Sequence, residues 1–75
     1  MKLEKNKIHL CDVVEGLKTI PDTSVDIVLL DPPYNIGKDF GNSKCALEIN
    51  EYVEWALRWI RESERILKDS GTMFI

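Results

Sequence analysis

The chain has 75 residues, 44% hydrophobic and 31% charged, which suits one small soluble domain; at this size only about 60% of the unfolded surface is buried, so stability is thin. Ten Lys and Arg against 13 Asp and Glu give a net charge of −3, which argues against a surface that grips duplex phosphate by itself. No apolar run approaches the ~20 residues of a membrane span, Met1 to Asn6 leads into a strand rather than a cleavable leader, and a cytoplasmic protein is expected. Cys11 and Cys45 with one distant His9 make no metal-ligand cluster, and reduced thiols are expected in that compartment.

Taken in chain order, the pattern predicts β-α-β-α-β. Lys7 to Leu10 reads as a first strand. Asp12, with Glu15 three residues on, resembles a capping box and opens a short helix to about Thr19, with Val13, Leu17 and Ile20 on its inner side. His9 falls in mid-strand, where a structural role is expected rather than a catalytic one. Pro21-Asp22 ends the helix. Ser24 to Leu30 is β-branched and continuously apolar after Asp26, as in a strand buried on both faces. A long helix is expected from about Asn50 to Leu67, with Val53, Ala56, Trp59, Ile60 and Leu67 on one stripe and Ser63 and Ile66 near it. Trp55 lies slightly off that stripe and is expected to reach another layer. Lys68-Asp69-Ser70-Gly71 should stop the helix, with Gly71 taking a positive φ, and Thr72 to Ile75 starts the next strand. A strand, a helix of this length and a second strand imply a right-handed parallel crossover.

The central strand runs into Asp31-Pro32-Pro33-Tyr34, and this turn carries the chemistry. Asp-Pro also begins ordinary turns, but ligands in α/β sheets bind at strand ends of this kind. The proline after Asp31 keeps its backbone extended, so the carboxylate projects from the sheet edge. Pro32 and Pro33 fix two successive φ angles and donate no N–H, leaving a stiff segment that offers only carbonyl acceptors. Such acceptors suit an exocyclic amino group, whose lone pair is delocalised until its two hydrogens are held out of plane. Asp31 and the Pro32 carbonyl can take one hydrogen each, aiming the lone pair at an electrophile by positioning and electrostatics. Tyr34 supplies a π-face for stacking. The connection from Asn35 to Ile49 is long for a compact domain, which suits either a functional loop or a solvated, mobile excursion, and Lys38 and Lys44 beside Asp39 and Glu48 read as a solvated face rather than as phosphate ligands.

Asp31-Pro32-Pro33-Tyr34 resembles the catalytic motif of the DNA amino-methyltransferases. Ile8-His9-Leu10-Cys11-Asp12, Leu17, Ile20-Pro21-Asp22 and Ser24-Val25-Asp26 resemble the opening of that family's β-group, in which the catalytic motif lies near the N-terminus and the glycine-rich cofactor motif follows later. Arg65 to Ile75 is similar to the family's next helix end and strand, with Asp69-Ser70 where proline or glycine is common. The resemblance implies an incomplete, partial Rossmann-like α/β fold with a parallel sheet and crossover helices. Residues 1–75 would form the N-terminal part of a catalytic domain, without the cofactor glycine motif or the target-recognition region, since the sequence stops inside an apolar run. It implies S-adenosylmethionine as cofactor, catalytic roles for Asp31, Pro32, Pro33 and Tyr34, and cofactor contacts from Cys11, Asp12 and Asp31. Double-stranded DNA would be held through regions missing here, with the target base flipped out and a cognate restriction endonuclease as a further partner. Three readings remain: methylation of adenine N6 leads, cytosine N4 is the alternative, and an inactive truncated remnant is the third. The 75 residues alone are expected to be inactive.

Overall fold

The computed structural model describes residues 2–33, 39–40, 43–44 and 49–75. Its first element is a short helix, α1 (Val13–Leu17), opened by Asp12 in extended backbone, whose carboxylate accepts from the Glu15 amide at 3.0 Å. This is the expected cap, one-sided: the Glu15 carboxylate accepts from Lys18 Nζ at 3.3 Å. The helix closes with tightened turns, Thr19 N–H to Gly16 carbonyl and Ile20 N–H to Leu17 carbonyl. Gly16 is buried, and a Cβ there would meet Cys11 Sγ at 2.9 Å.

Strand β1 (Val25–Leu29) is followed by two short paired segments, β2 (Asp39–Phe40) and β3 (Ser43–Lys44), then by helix α2 (Ile49–Ile66) and strand β4 (Leu67–Phe74). The long helix thus lies within one residue of its expected limits. β1 and β4 pair in parallel, with Ile27 opposite Thr72, Val28 opposite Met73 and Leu29 opposite Phe74. Leu30 N–H to the Phe74 carbonyl at 2.9 Å carries the ladder up to the residue before Asp31. Below that regular stretch the register shifts: Val25 faces Leu67, so Asp26 alone opposes Lys68, Asp69, Ser70 and Gly71. The strand therefore begins directly at Leu67, ahead of the expected start at Thr72, and Lys68 to Gly71 lie within it as a bulge rather than forming a separate helix stop; the regular ladder resumes at Thr72. Gly71 is needed for a different reason than expected. Its φ is not positive; instead a Cβ would lie 2.9 Å from the Asp26 carbonyl oxygen and 2.6 Å from Leu67 Cδ1.

Helix α2 covers one face of the strand pair. Trp59, Ser63 and Ile66, at i, i+4 and i+7, are its buried positions, and with Val28 they form the core of the described residues. Two expectations fail here. β1 is not buried on both faces, since Ile27 and Leu29 remain 63% and 79% exposed. Residues 7–10 form no strand, and Ile8 and Leu10 are fully exposed. A strand is defined by the ladder it joins, and no described element lies beside 7–10 to supply one. His9 Nε2 sits 3.1 Å from the Glu4 amide nitrogen and 3.0 Å from its carbonyl oxygen, and it serves this N-terminal turn through whichever bond its tautomer permits.

Arg65, in the last turn of α2, joins three parts of the chain. Its guanidinium donates to the Leu17 carbonyl at 2.8 Å, to the Ile20 carbonyl at 2.9 Å and to Asp22 Oδ1 at 2.6 Å, and Nε reaches Glu62 at 3.2 Å. The Asp22 hydrogen bond raises its pKa above the ordinary value, desolvation pulls the other way, and Glu62 adds to the rise. The stabilisation is therefore fully present below the ordinary arginine pKa and is lost only as pH rises through the raised one, far outside the neutral range. The helix end is also met by backbone: Thr23 N–H bonds to the Arg65 carbonyl and Ser24 N–H to the Ile66 carbonyl, at 2.9 and 2.8 Å. These satisfy two of the acceptors that a helix C-terminus leaves open. Thr23 makes its bond at a φ of 49°, a left-handed conformation that strains a β-branched residue.

Candidate active site

The site lies where β1 stops. Past Leu30 the chain turns away through Asp31, which is exposed, Pro32, half-buried, and Pro33, exposed. The three residues share one cavity of about 260 Å³ with the strand end, Leu29 and Leu30, with Val13 of α1, and with Trp55 and Trp59 of α2. Strand end, helix start and long helix converge on the motif, as the geometry of open α/β sheets predicts.

The turn is held from α2. Tyr52 Oη donates to the Pro33 carbonyl at 2.9 Å, joining residues nineteen positions apart. Tyr52, Trp55 and Trp59 form a ladder along the helix, with ring centroids 5.8 Å apart at 49° for the first pair and 5.6 Å apart at 70° for the second. Both are tilted arrangements that aromatic quadrupoles favour. Trp59 is 4% exposed, and its indole N–H is buried with no hydrogen-bond partner among the described residues. The cavity therefore combines one acidic residue, two prolines and two tryptophans, a lining suited to a planar ring with polar edges or to a soft cation.

Of the site residues expected from sequence, Asp31, Pro32 and Pro33 come together in this cavity; Tyr34 lies outside the described residues. Cys11 is exposed and Asp12 caps α1; neither lines the cavity, although Val13, the next residue, does. Most of the long connection, with Lys38 and Cys45, is likewise outside the described residues. Sequence reasoning missed Tyr52 and gave Trp55 only an unnamed second layer. The signal was present: aromatics at 52, 55 and 59 follow the i, i+3, i+7 spacing of a single helix face.

A family model described as DNA methylase, that of the N6/N4 methylases, matches residues 25–75, from β1 through the motif and α2 to the end of β4. Among curated proteins, the chain is similar to the Type II methyltransferase M.BglII of Bacillus subtilis, 45% identical over 73 residues that cover 97% of this chain and 19% of the relative. It is 42% identical over 64 residues to the DNA adenine methyltransferase YhdJ of Escherichia coli strain K12, covering 85% of this chain and 22% of the relative. The Type II methyltransferase M.HpaI of Haemophilus parainfluenzae is 39% identical over 64 residues, 85% of this chain and 20% of the relative. The chain thus spans about a fifth of the length of the curated relatives it matches. No solved structure gives a significant match.

Proposed function

We propose, for a chain that belongs to the N6/N4 DNA methylase family, that its Asp31-Pro32-Pro33-Tyr34 turn forms the part of an active site that receives an exocyclic amino group of a DNA base. The observation that carries this reading is the convergence of Asp31, Pro32 and Pro33 on one indole-lined cavity at the end of a parallel strand. Adenine N6 is the favoured target, supported by the likeness to an adenine methyltransferase, with cytosine N4 as the alternative. The likeness to Type II methyltransferases supports a restriction endonuclease as a functional partner and double-stranded DNA as substrate.

The chemistry asked of this chain's residues is positional. One hydrogen of the amino group goes to the Asp31 carboxylate and the other to the Pro32 carbonyl, which draws the nitrogen lone pair out of conjugation. Pro32 and Pro33 keep those acceptors from rotating away, and Tyr34 stacks on the ring of a base already out of the duplex. S-adenosylmethionine, when bound, supplies the methyl group as a sulfonium electrophile. The lining fits such a group: two tryptophans of α2 offer π-surface to a soft cation. Asp12 would hold the cofactor's amino group with the carboxylate capacity its cap leaves free, beside the Cys11 backbone. At about 260 Å³ the cavity is small for a whole cofactor, and with a net charge of −3 the 75 residues offer little to phosphate, so alone they are expected to leave DNA unmethylated.

In the complete natural polypeptide, Asp31→Ala should lower turnover by roughly two to three orders of magnitude, the usual scale for one preorganised electrostatic contact, while cofactor affinity changes little. Tritiated methyl transfer and cofactor titration measure the two separately. Equal losses in both would move Asp31 from the amino group to the cofactor.

A further inference from the structure

We propose that Tyr52 is a positioning residue for methyl transfer, acting through the carbonyl of Pro33. The inference rests on the function proposed above and adds to it a residue outside the motif. Proline fixes φ but leaves ψ free, so the ring of Pro33 does not by itself decide where its carbonyl points. The Tyr52 hydroxyl does, by donating to that oxygen at 2.9 Å from the first turns of α2. Two consequences follow for the acceptors of the turn. One lone pair of the Pro33 oxygen is engaged toward the helix, and the Asp31 carboxylate and the Pro32 carbonyl are the pair that receives the two amino hydrogens. Moreover, the same ψ sets the direction in which the chain enters Tyr34, whose ring is to stack on the base.

Tyr52 is itself held where this role requires. Its ring packs on Trp55, which packs edge-on against the buried Trp59, and both indoles line the cavity that contains the motif. The turn is thus referenced through three aromatic side chains to the buried face of α2. The hydrogen bond, which is exposed, is the only component of this linkage that Tyr52→Phe removes, because the phenyl ring keeps its place against Trp55.

The test uses the complete natural polypeptide with S-adenosylmethionine and unmethylated duplex DNA. Tyr52→Phe should lower kcat roughly 5- to 20-fold, since small misplacements of reacting groups are costly, and leave the KM for DNA and for the cofactor within about twofold. Its thermal midpoint should stay near the parent's, and the Pro33 carbonyl carbon should shift in NMR as its hydrogen bond is lost. A fluorinated tyrosine at position 52, with its phenol ionising near neutrality, should add a fall in kcat as pH rises through that ionisation, because a phenolate cannot donate. Normal kcat in Tyr52→Phe, or a pH profile unmoved by fluorination, overturns the proposal. A parent polypeptide that transfers no methyl group to DNA overturns instead the function on which it rests, and the Pro33 carbonyl shift still reports whether Tyr52 holds the turn.

Discussion

The two faces of the β1–β4 pair share one backbone and differ in what covers them. On the helix side Val28 is 7% exposed beneath Trp59 and Ile66; on the other, its neighbours Ile27 and Leu29 are mostly open to solvent, as is Phe74. The covered face also carries the links that fix the strand: the Arg65 guanidinium, the bonds from Thr23 and Ser24 into the helix end, and the Tyr52 bond to Pro33. The links out of the sheet that steady the approach to Asp31 therefore come from one side, while the β4 ladder adds its pairing in the plane. The lesson is that a run of apolar residues states only that a strand can be buried twice; the number of layers on hand decides whether it is.

The largest expected effect breaks the covered face at its centre. Trp59→Ala removes the indole between core and cavity, and about 3–5 kcal/mol should be lost in urea unfolding, enough to unfold so small a chain. A loss below 1 kcal/mol would mean that α2 is not what holds the strands. Val28→Ala is the milder version, with about 2 kcal/mol expected from the lost methyl groups and the space they leave. A change of opposite sign sharpens the comparison at the strand entrance. Thr23→Asn keeps the backbone donor to Arg65 while placing a residue that tolerates a left-handed φ, and the unfolding midpoint should rise by the equivalent of about 1 kcal/mol. The smallest effect is expected one residue from Val28. Ile27→Ala, on the bare face, should change stability by no more than about 0.5 kcal/mol, and a cost equal to that of Val28→Ala would erase the distinction between the faces.

Local chemistry made much of this legible beforehand. The Asp12 cap, the strand ending just before Asp31 and the span of α2 all rest on side chains close in sequence to the structure they dictate. What sequence did not give depends on partners far along the chain. Residues 7–10 carry a strand's pattern without a neighbouring ladder, and Gly71 is required by an Asp26 carbonyl forty-five positions earlier rather than by its own dihedral. From sequence Arg65 is only the start of a helix end, yet it gathers the Leu17 and Ile20 carbonyls at the end of α1 and just beyond it. Trp55 was legible as an outlier but not as a wall of the cavity, because only the fold reveals what faces it. For the candidate site, the motif was plain and its support was not.

The bonds from Thr23 and Ser24 into the end of α2 also make β1 a ruler. Its zero is pinned to the helix terminus, and the Asp31 carboxylate is read off seven residues later, about 23 Å away at the rise of an extended strand. One residue inserted or deleted between the two would advance or retract the turn by about 3.3 Å and exchange the inward and outward side chains, bringing Ile27 or Leu29 beneath Trp59 in place of Val28. Substitution at the exposed positions of this stretch, Ile27 and Leu29, can therefore be explored while changes of length cannot, and lineages that descend from it are free to vary those letters but not how many stand between Ser24 and Asp31.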